Sequence, residues 1–263
     1  MKFFPQSIAV YFHDVDVNEF EKTIKWFVRH KYRFVSTDEL KQWYEGKFNP
    51  TQKICHVSFD DGKRSNVNLL GICEKYNVPI TICIATGALH TGNYWWEYVK
   101  AEKGHFEAFK KYDFDRFNQE LKLLKEKYEL QRSALTVEEL IEFEKSPLVT
   151  IASHTVSHYI LTVVPDNVLE TELVESKNEL EKLLKKEIDV FCYPNGSFSK
   201  REIERARKHY RFAFTTESKY LNRNTDDHML IPRIALTGKY HRNLLKIFRI
   251  WQFFKRYKKF FSK

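Results

Sequence analysis

Short β-rich runs alternate with longer amphipathic stretches over most of this chain, and that alternation limits the fold more than any other feature. Repeated strand–helix units build parallel strands with helices packed outside them. Strands are predicted at residues 8–13, 33–36, 53–60, 80–85, 148–153, 190–193 and 212–215. These seven segments predict an incomplete α/β barrel. Asn18, Thr37, Ser65, Asp166 and Ser199 are start signals for helices over residues 19–30, 38–44, 66–76, 167–185 and 200–209. In the longest of these, Leu169, Leu173, Leu180 and Leu184 share one face.

A chain of 263 residues that is 43% hydrophobic, with 22 Phe and 14 Tyr, can fill one core. With no repeat and no low-complexity linker, one domain is expected over residues 1–238, followed by a tail at 239–263. Residues 87–135, after the fourth strand, are too many for an ordinary connection and read as an insertion with its own helix near 115–128. The insertion carries Tyr94-Trp95-Trp96-Glu97-Tyr98. Trp95 and Trp96 either stack on sugar faces or only anchor the insertion to the body.

Three strand ends carry chemistry. The third strand closes in Ser58-Phe59-Asp60-Asp61-Gly62, at the end of a parallel strand where barrel active sites lie. A continuing strand would point the two aspartates to opposite faces, so Gly62 is read as the turn that re-aims them. The fifth strand runs into Ser153-His154-Thr155-Val156-Ser157-His158, and two histidines four apart share one face of a helical turn. Each motif alone is commonly structural. Together they offer imidazoles and a carboxylate for one metal ion plus a second carboxylate free to act as a base, which is the requirement of metal-assisted hydrolysis. The sixth strand enters a proline-held loop, Phe191-Cys192-Tyr193-Pro194-Asn195-Gly196, where an N–H of Tyr193 or Asn195 is a candidate oxyanion donor.

In these ordered motifs the chain resembles the polysaccharide deacetylase family, also called the NodB-homology domain or carbohydrate esterase family four, over about residues 8–234. The resemblance implies a distorted (β/α)7 barrel and removal of acetyl groups from N-acetylated sugars with a divalent metal, commonly Zn2+. It assigns Asp61, His154 and His158 as ligands and Asp60 as general base. Two departures stand out: Cys192 and Asn195 replace the family's arginine and tyrosine in the third motif. Arg233, in Ile231-Pro232-Arg233-Ile234, is the candidate substitute partner for Asp60, with a surface ion pair as the alternative. The family's late catalytic histidine is missing from its place. His13, at the end of the first strand, is the favoured acid because proton delivery needs hydrogen-bond reach, and His241 is the alternative.

The four cysteines lie in apolar runs without metal-site spacing and read as buried thiols. Of the net charge of +9, the stretch 231–263 supplies ten Lys and Arg and no acid, leaving a near-neutral body. Leu244, Ile247, Phe248, Trp251 and Phe254 fall on one helical face opposite Arg242, Lys246 and Arg249. This tail is read as a basic amphipathic helix for an anionic membrane surface, each basic residue contributing about 1 kcal/mol, or else as a helix packed on the barrel. No window has the roughly 18 apolar residues of a spanning helix, and no signal-peptide pattern is read at the start. The expectation is a cytoplasmic enzyme, peripheral on the inner face of the plasma membrane, that deacetylates a glycan or lipid-linked glycan precursor for a surface polysaccharide. A non-catalytic carbohydrate-binding member of the same fold is the alternative. Nucleic acid is not expected as a partner.

Overall fold

The computed structural model describes residues 6–249. Its strands are β1 (Ile8–Phe12), β2 (Arg33–Phe34), β3 (Ile54–Phe59), β4 (Ile80–Ile84), β5 (Val149–Ser153), β6 (Val190–Cys192), β7 (Phe212–Phe214) and β8 (Ile234–Ala235). They form one sheet in the order β7-β6-β5-β4-β3-β1-β8, with β2 also on β3, and every pairing is parallel. All residues of β1, β3 and β4 are buried, which is why these strands read as continuous apolar runs rather than alternating ones.

The seven predicted strands are all present, and the eighth, β8, is new. Ile231 bridges Phe214 of β7, while Ile234 and Ala235 pair with Val10 and Tyr11 of β1. The segment 231–235 therefore joins the two edges of the curled sheet, giving the distorted barrel expected from the motifs. Pro232 interrupts it because a proline has no N–H to donate to a ladder. Two paired residues beyond a proline are too short a run to stand out in a sequence.

The helices are α1 (Val17–Arg29), α2 (Thr37–Tyr44), α3 (Leu70–Tyr76), α4 (Thr86–Thr91), α5 (Trp95–Lys103), α6 (Phe114–Lys127), α7 (Val137–Glu144), α8 (Asp166–Leu184), α9 (Lys200–His209) and α10 (Tyr240–Ile247). Ser36 with Glu39, Thr136 with Glu139 and Ser199 with Glu202 form reciprocal capping boxes at α2, α7 and α9. The stretch expected as one helix at 66–76 instead begins as a 3-10 turn, Arg64–Leu69. There the Asn66 amide leaves the helix surface to bond the His13 carbonyl at 3.0 Å.

The insertion holds three helices rather than one. Trp95, Tyr98 and Val99 of α5 pack with Phe109 and with Phe117, Leu121 and Leu124 of α6 in a core of their own. The aromatic run of α5 has no clean helical period, so it reads as a cluster and hides the helix. The chain returns to the barrel rim through Ala134, which bridges Lys63 in antiparallel pairing.

Helix α10 lies on the body. Ile247 is fully buried, Leu244 and Phe248 pack against the main core, and the Phe248 ring meets Trp26 of α1 edge-on at 5.6 Å. These apolar residues cover the barrel. Trp251, Phe254 and the basic–aromatic run that follows lie outside the described residues. Among the described residues, no helix is long and apolar enough to cross a membrane, and the four cysteines are free and buried. Ile247→Ala removes a packed side chain and is expected to destabilise the whole domain by about 2–5 kcal/mol in urea unfolding, whereas a loosely attached tail would leave the transition unmoved.

Candidate active site

The carboxyl ends of β1, β3, β5 and β6 meet at a cleft of about 560 Å³ whose lining includes His13, Asp60, Asp61, Trp95, Trp96, His154, His158 and Asn195. At the end of β3 the turn begins one residue earlier than the glycine suggests. Asp61 itself has a left-handed backbone (φ 78°) and Gly62 follows in the same region (φ 82°). This reversal lets neighbouring carboxylates face one centre, and a Cβ on Gly62 would stand 2.8 Å from Ile84 Cδ1.

His154 and His158 also meet without a helix. They belong to a loop in which Thr155 (φ 68°) and His158 (φ 54°) are left-handed, and their ring centroids lie 4.7 Å apart. Loop curvature thus does what a helical turn was expected to do. The loop is pinned from several sides. Thr86 and Gly87 donate their N–H groups to the carbonyls of Thr155 and Val156 at 3.0 and 2.9 Å. Glu172 of α8, itself buried, accepts the N–H groups of Val156 and Ser157 at 2.9 and 2.8 Å. Glu172 was not singled out in the sequence. Its signal was an acid on the apolar stripe of α8, between Leu169 and Leu173.

His154 Nε2 and His158 Nε2 lie 3.7 and 3.4 Å from Asp61 Oδ1, and the three candidate donor atoms fall within 4.8 Å of one another. Asp61 Oδ1 is buried without a hydrogen-bond partner, a costly state for a carboxylate unless a cation or proton meets it. His154 Nδ1 lies 2.8 Å from the Cys192 carbonyl and donates to it, which leaves the Nε2 lone pair for a ligand. Two imidazoles, one carboxylate and an open side toward the cleft fit a divalent cation such as zinc. Burial raises the pKa of the Asp61 carboxyl and keeps His158 neutral well below its usual range. Burial also opposes a charged His154, but Cys192 and both aspartates raise it to about 9, so a cation held here would have to displace a proton from this ring.

Asp60 is held differently. Arg233 Nη1 and Nη2 reach Asp60 Oδ1 and Oδ2 at 2.7 and 2.9 Å, a bidentate pair in which both residues are buried. The remaining donors of the guanidinium meet Ser58 Oγ, the Thr215 carbonyl and Cys192 Sγ at 2.9, 3.2 and 2.8 Å. A surface ion pair is thereby ruled out. Arg233 reaches in from the barrel seam and meets the Cys192 thiol of the third motif. Burial by itself would raise the Asp60 pKa; Arg233, aided by His154, more than offsets this and holds the carboxyl well below the usual range. The same contacts leave Asp60, Cys83 and Cys192, which also cluster, without a free carboxylate for a second ion.

The other candidates divide. His13 is exposed at the cleft, with Tyr11 edge-on at 5.5 Å, whereas His241 is exposed on α10, whose Tyr240 N–H bonds Glu19 of α1, and is not part of the lining. Tyr193 is fully buried and its N–H donates to the Phe214 carbonyl at 3.2 Å, so it is not available as an oxyanion donor. Asn195, left-handed at φ 58°, lines the cleft. In the aromatic run, Tyr94 and Trp95 are anchors. The Tyr94 hydroxyl bonds the Asp61 carbonyl at 3.0 Å and Trp95 Nε1 bonds the His158 carbonyl at 2.9 Å. Trp96 is half-buried, stacked on Tyr94 and edge-on to His158 at 4.5 Å, with a face toward the cleft.

This arrangement, two imidazoles and a carboxylate beside a clamped second carboxylate on a distorted barrel, is accompanied by a family match over residues 47–211: the chain belongs to the polysaccharide deacetylase family. It is 26% identical over 251 residues to the poly-β-1,6-N-acetyl-D-glucosamine N-deacetylase of Staphylococcus aureus, covering 93% of this chain and 75% of that one. Among solved structures, the Streptococcus pyogenes deacetylase PplD in complex with acetate superimposes with a TM-score of 0.69 at 18% identity, covering 93% of this chain and 99% of that one. IcaB from Ammonifex degensii gives a TM-score of 0.69 at 18% identity, with 93% and 97% covered. At these identities the two structures share the fold.

Replacing Arg233 by Met leaves Asp60 buried and unpaired. At neutral pH the variant is expected to lose about 3–5 kcal/mol of stability. The sign of its pH dependence follows from Asp60. In the parent the depressed pKa contributes stability above the ordinary carboxylate range; in the variant burial raises the pKa, so the deficit shrinks in acid, where the neutral carboxyl is tolerated. Denaturant titrations at neutral pH and at about pH 4 measure the difference, and a deficit equal at both would refute the linkage.

Proposed function

We propose that this chain is a metal-dependent hydrolase that removes an N-acetyl group from a sugar of a glycan or lipid-linked glycan precursor, in the making of a surface polysaccharide. The observation that carries the reading is the pairing of a buried, unpartnered Asp61 oxygen between two imidazoles with an adjacent Asp60 held ionised by Arg233. The family and the named activity of the staphylococcal relative support the substrate class.

Asp61, His154 and His158 would hold a divalent cation, zinc by donor type, which supplies Lewis-acid polarisation and a water ionising near pH 7, about where hydrolysis needs it. Asp60 accepts the proton of the attacking water as it adds to the acetamide carbonyl. Asn195 offers its N–H to the oxygen that gains charge. His13, exposed in the lining of the cleft, gives a proton to the departing amine, leaving a free amino sugar and acetate. Trp96 packs against the sugar face.

A sugar-binding module without catalysis drew its support from the missing arginine, and Arg233 removes that support. Burying an ion pair is a poor source of stability, so its retention beside the cleft suits a reaction better than simple binding.

In acetate-release assays on N-acetylglucosamine and N-acetylgalactosamine conjugates, Asp60→Asn and His154→Ala are each expected to lower kcat/KM by at least about 100-fold. Metal analysis should separate them, with the ion retained in Asp60→Asn and depleted in His154→Ala. Undiminished acetate release in both variants sinks the assignment.

For residues 250–263 the proposal rests on sequence alone. Lys255, Arg256, Lys258 and Lys259 interleave with Tyr257, Phe260 and Phe261, a composition suited to an anionic membrane surface such as the inner face of the plasma membrane. Deleting 250–263 should abolish sedimentation with phosphatidylglycerol vesicles and leave acetate release from a soluble sugar intact. Vesicle binding that survives the deletion counts against the anchor.

A further inference from the structure

Tyr11 lines the catalytic cleft, yet the steps assigned to Asp60, Asn195 and His13 make no use of it. It sits on β1 opposite Ser58 of β3 and Ala235 of β8. Successive strand residues face opposite ways, and Ile8, Val10 and Phe12 join the main core, with Phe12 edge-on to Phe20 of α1 at 5.6 Å. Tyr11 therefore points into the barrel. There the Arg233 guanidinium lies 4.4 Å from its ring and 5.1 Å from that of Phe214. That cation, already clamped on Asp60, holds the ring in place.

The hydroxyl is left over. Tyr11 is only 6% exposed, and no described residue bonds its oxygen, a costly state for a buried polar atom. Asp61 and His158, the buried lining residues whose polar atoms are also unmet, belong to the candidate ligand trio. Burial first, and then Asp60, push the Tyr11 phenol well above its usual range, so at neutral pH it is an uncharged donor. A donor is what the site lacks. The Tyr193 N–H is consumed by the sheet, which leaves Asn195 alone to meet an oxyanion.

We propose that Tyr11 is a further catalytic residue, whose hydroxyl donates a hydrogen bond to the acetamide oxygen as that oxygen gains charge. The inference rests on the hydrolase reading above. In that step the water oxygen bonds the carbonyl carbon, Asp60 takes the water proton, and the carbonyl electron pair moves onto oxygen. The C–N bond then breaks as the nitrogen takes a proton from His13. Because the ring is fixed before substrate arrives, the bond to the hydroxyl strengthens with the charge and needs no reorganisation. Depth favours the reacting group over the sugar ring as its target: Trp96 is half-buried, whereas Tyr11 is buried on Arg233.

Tyr11→Phe removes the oxygen and keeps the ring against Arg233. With the metal-loaded enzyme and an N-acetylglucosamine conjugate, kcat is expected to fall on the order of 100-fold while KM stays within about twofold. A merely structural role would not divide the constants in this way, and an unchanged urea midpoint checks the fold. Parental kcat in the variant overturns the proposal. So does a raised KM at parental kcat, the mark of a hydroxyl that only binds the sugar. A methylphosphonamidate of glucosamine, with a tetrahedral anion in place of the acetamide, gives a second readout without turnover: by calorimetry the parent should bind it at least about tenfold more tightly than Tyr11→Phe. If no conjugate releases acetate, the hydrolase reading falls, and this titration still decides the contact. Weaker binding by the variant supports it, and equal binding refutes it.

Discussion

The buried pair of Asp60 and Arg233 is the interaction on which the rest of this site depends. Taking two charges out of water is unfavourable unless nearly every lone pair and proton is matched, and here the guanidinium meets Asp60 twice as well as Ser58, Thr215 and Cys192. These acceptors come from β3, from β6 and from the residue after β7, so the pair ties three strand ends to the seam of the barrel. It also decides a protonation state. Burial alone favours a neutral Asp60, and the fixed cation keeps it anionic, the state that the proposed base role requires. The thiol at Cys192 belongs to the same solution, since a larger residue there would occupy the volume that Arg233 uses.

Much of the framework was legible in the sequence because parallel strands covered on both faces read as uninterrupted apolar runs, and because Ser199 marks the start of α9; the α2 cap is Ser36, one residue before the Thr37 read as its signal, and α7 with its Thr136 cap was not read. β8 was hidden by its length and by Pro232. The candidate ligand trio was legible as residue types but not as geometry: a spacing of four suggests a helix, whereas two left-handed residues bring His154 and His158 together. Arg233 was a candidate on the sequence, and only its distances to Asp60 separate a buried clamp from a surface pair. Glu172 was masked by its company, a carboxylate among leucines whose hydrogen-bond donors are backbone N–H groups of the loop after β5. Tyr193 shows the reverse error, in which a residue next to the active loop is consumed by the sheet.

The insertion is coupled to the site rather than appended to it. Tyr94 holds the peptide of Asp61 and Trp95 holds that of His158, so one short helix braces both halves of the trio. Its packed aromatic core keeps those two donors in register, and the half-buried Trp96 is among the rings that line the cleft. The same excursion returns through Ser133 and Ala134 to the barrel rim beside the cleft. One excursion from the barrel thus sets the ligand loops and the shape of the surface around them.

The separation of 173 positions between Asp60 and Arg233 has a temporal side. A ribosome delivers the acid long before the base that neutralises it, and the last parallel pairing of the sheet must close before the two can meet. Until then the nascent rim holds a carboxylate that is solvated or protonated. Competence for chemistry therefore arrives late in synthesis, with the final turn of the barrel rather than with the motifs that announce it.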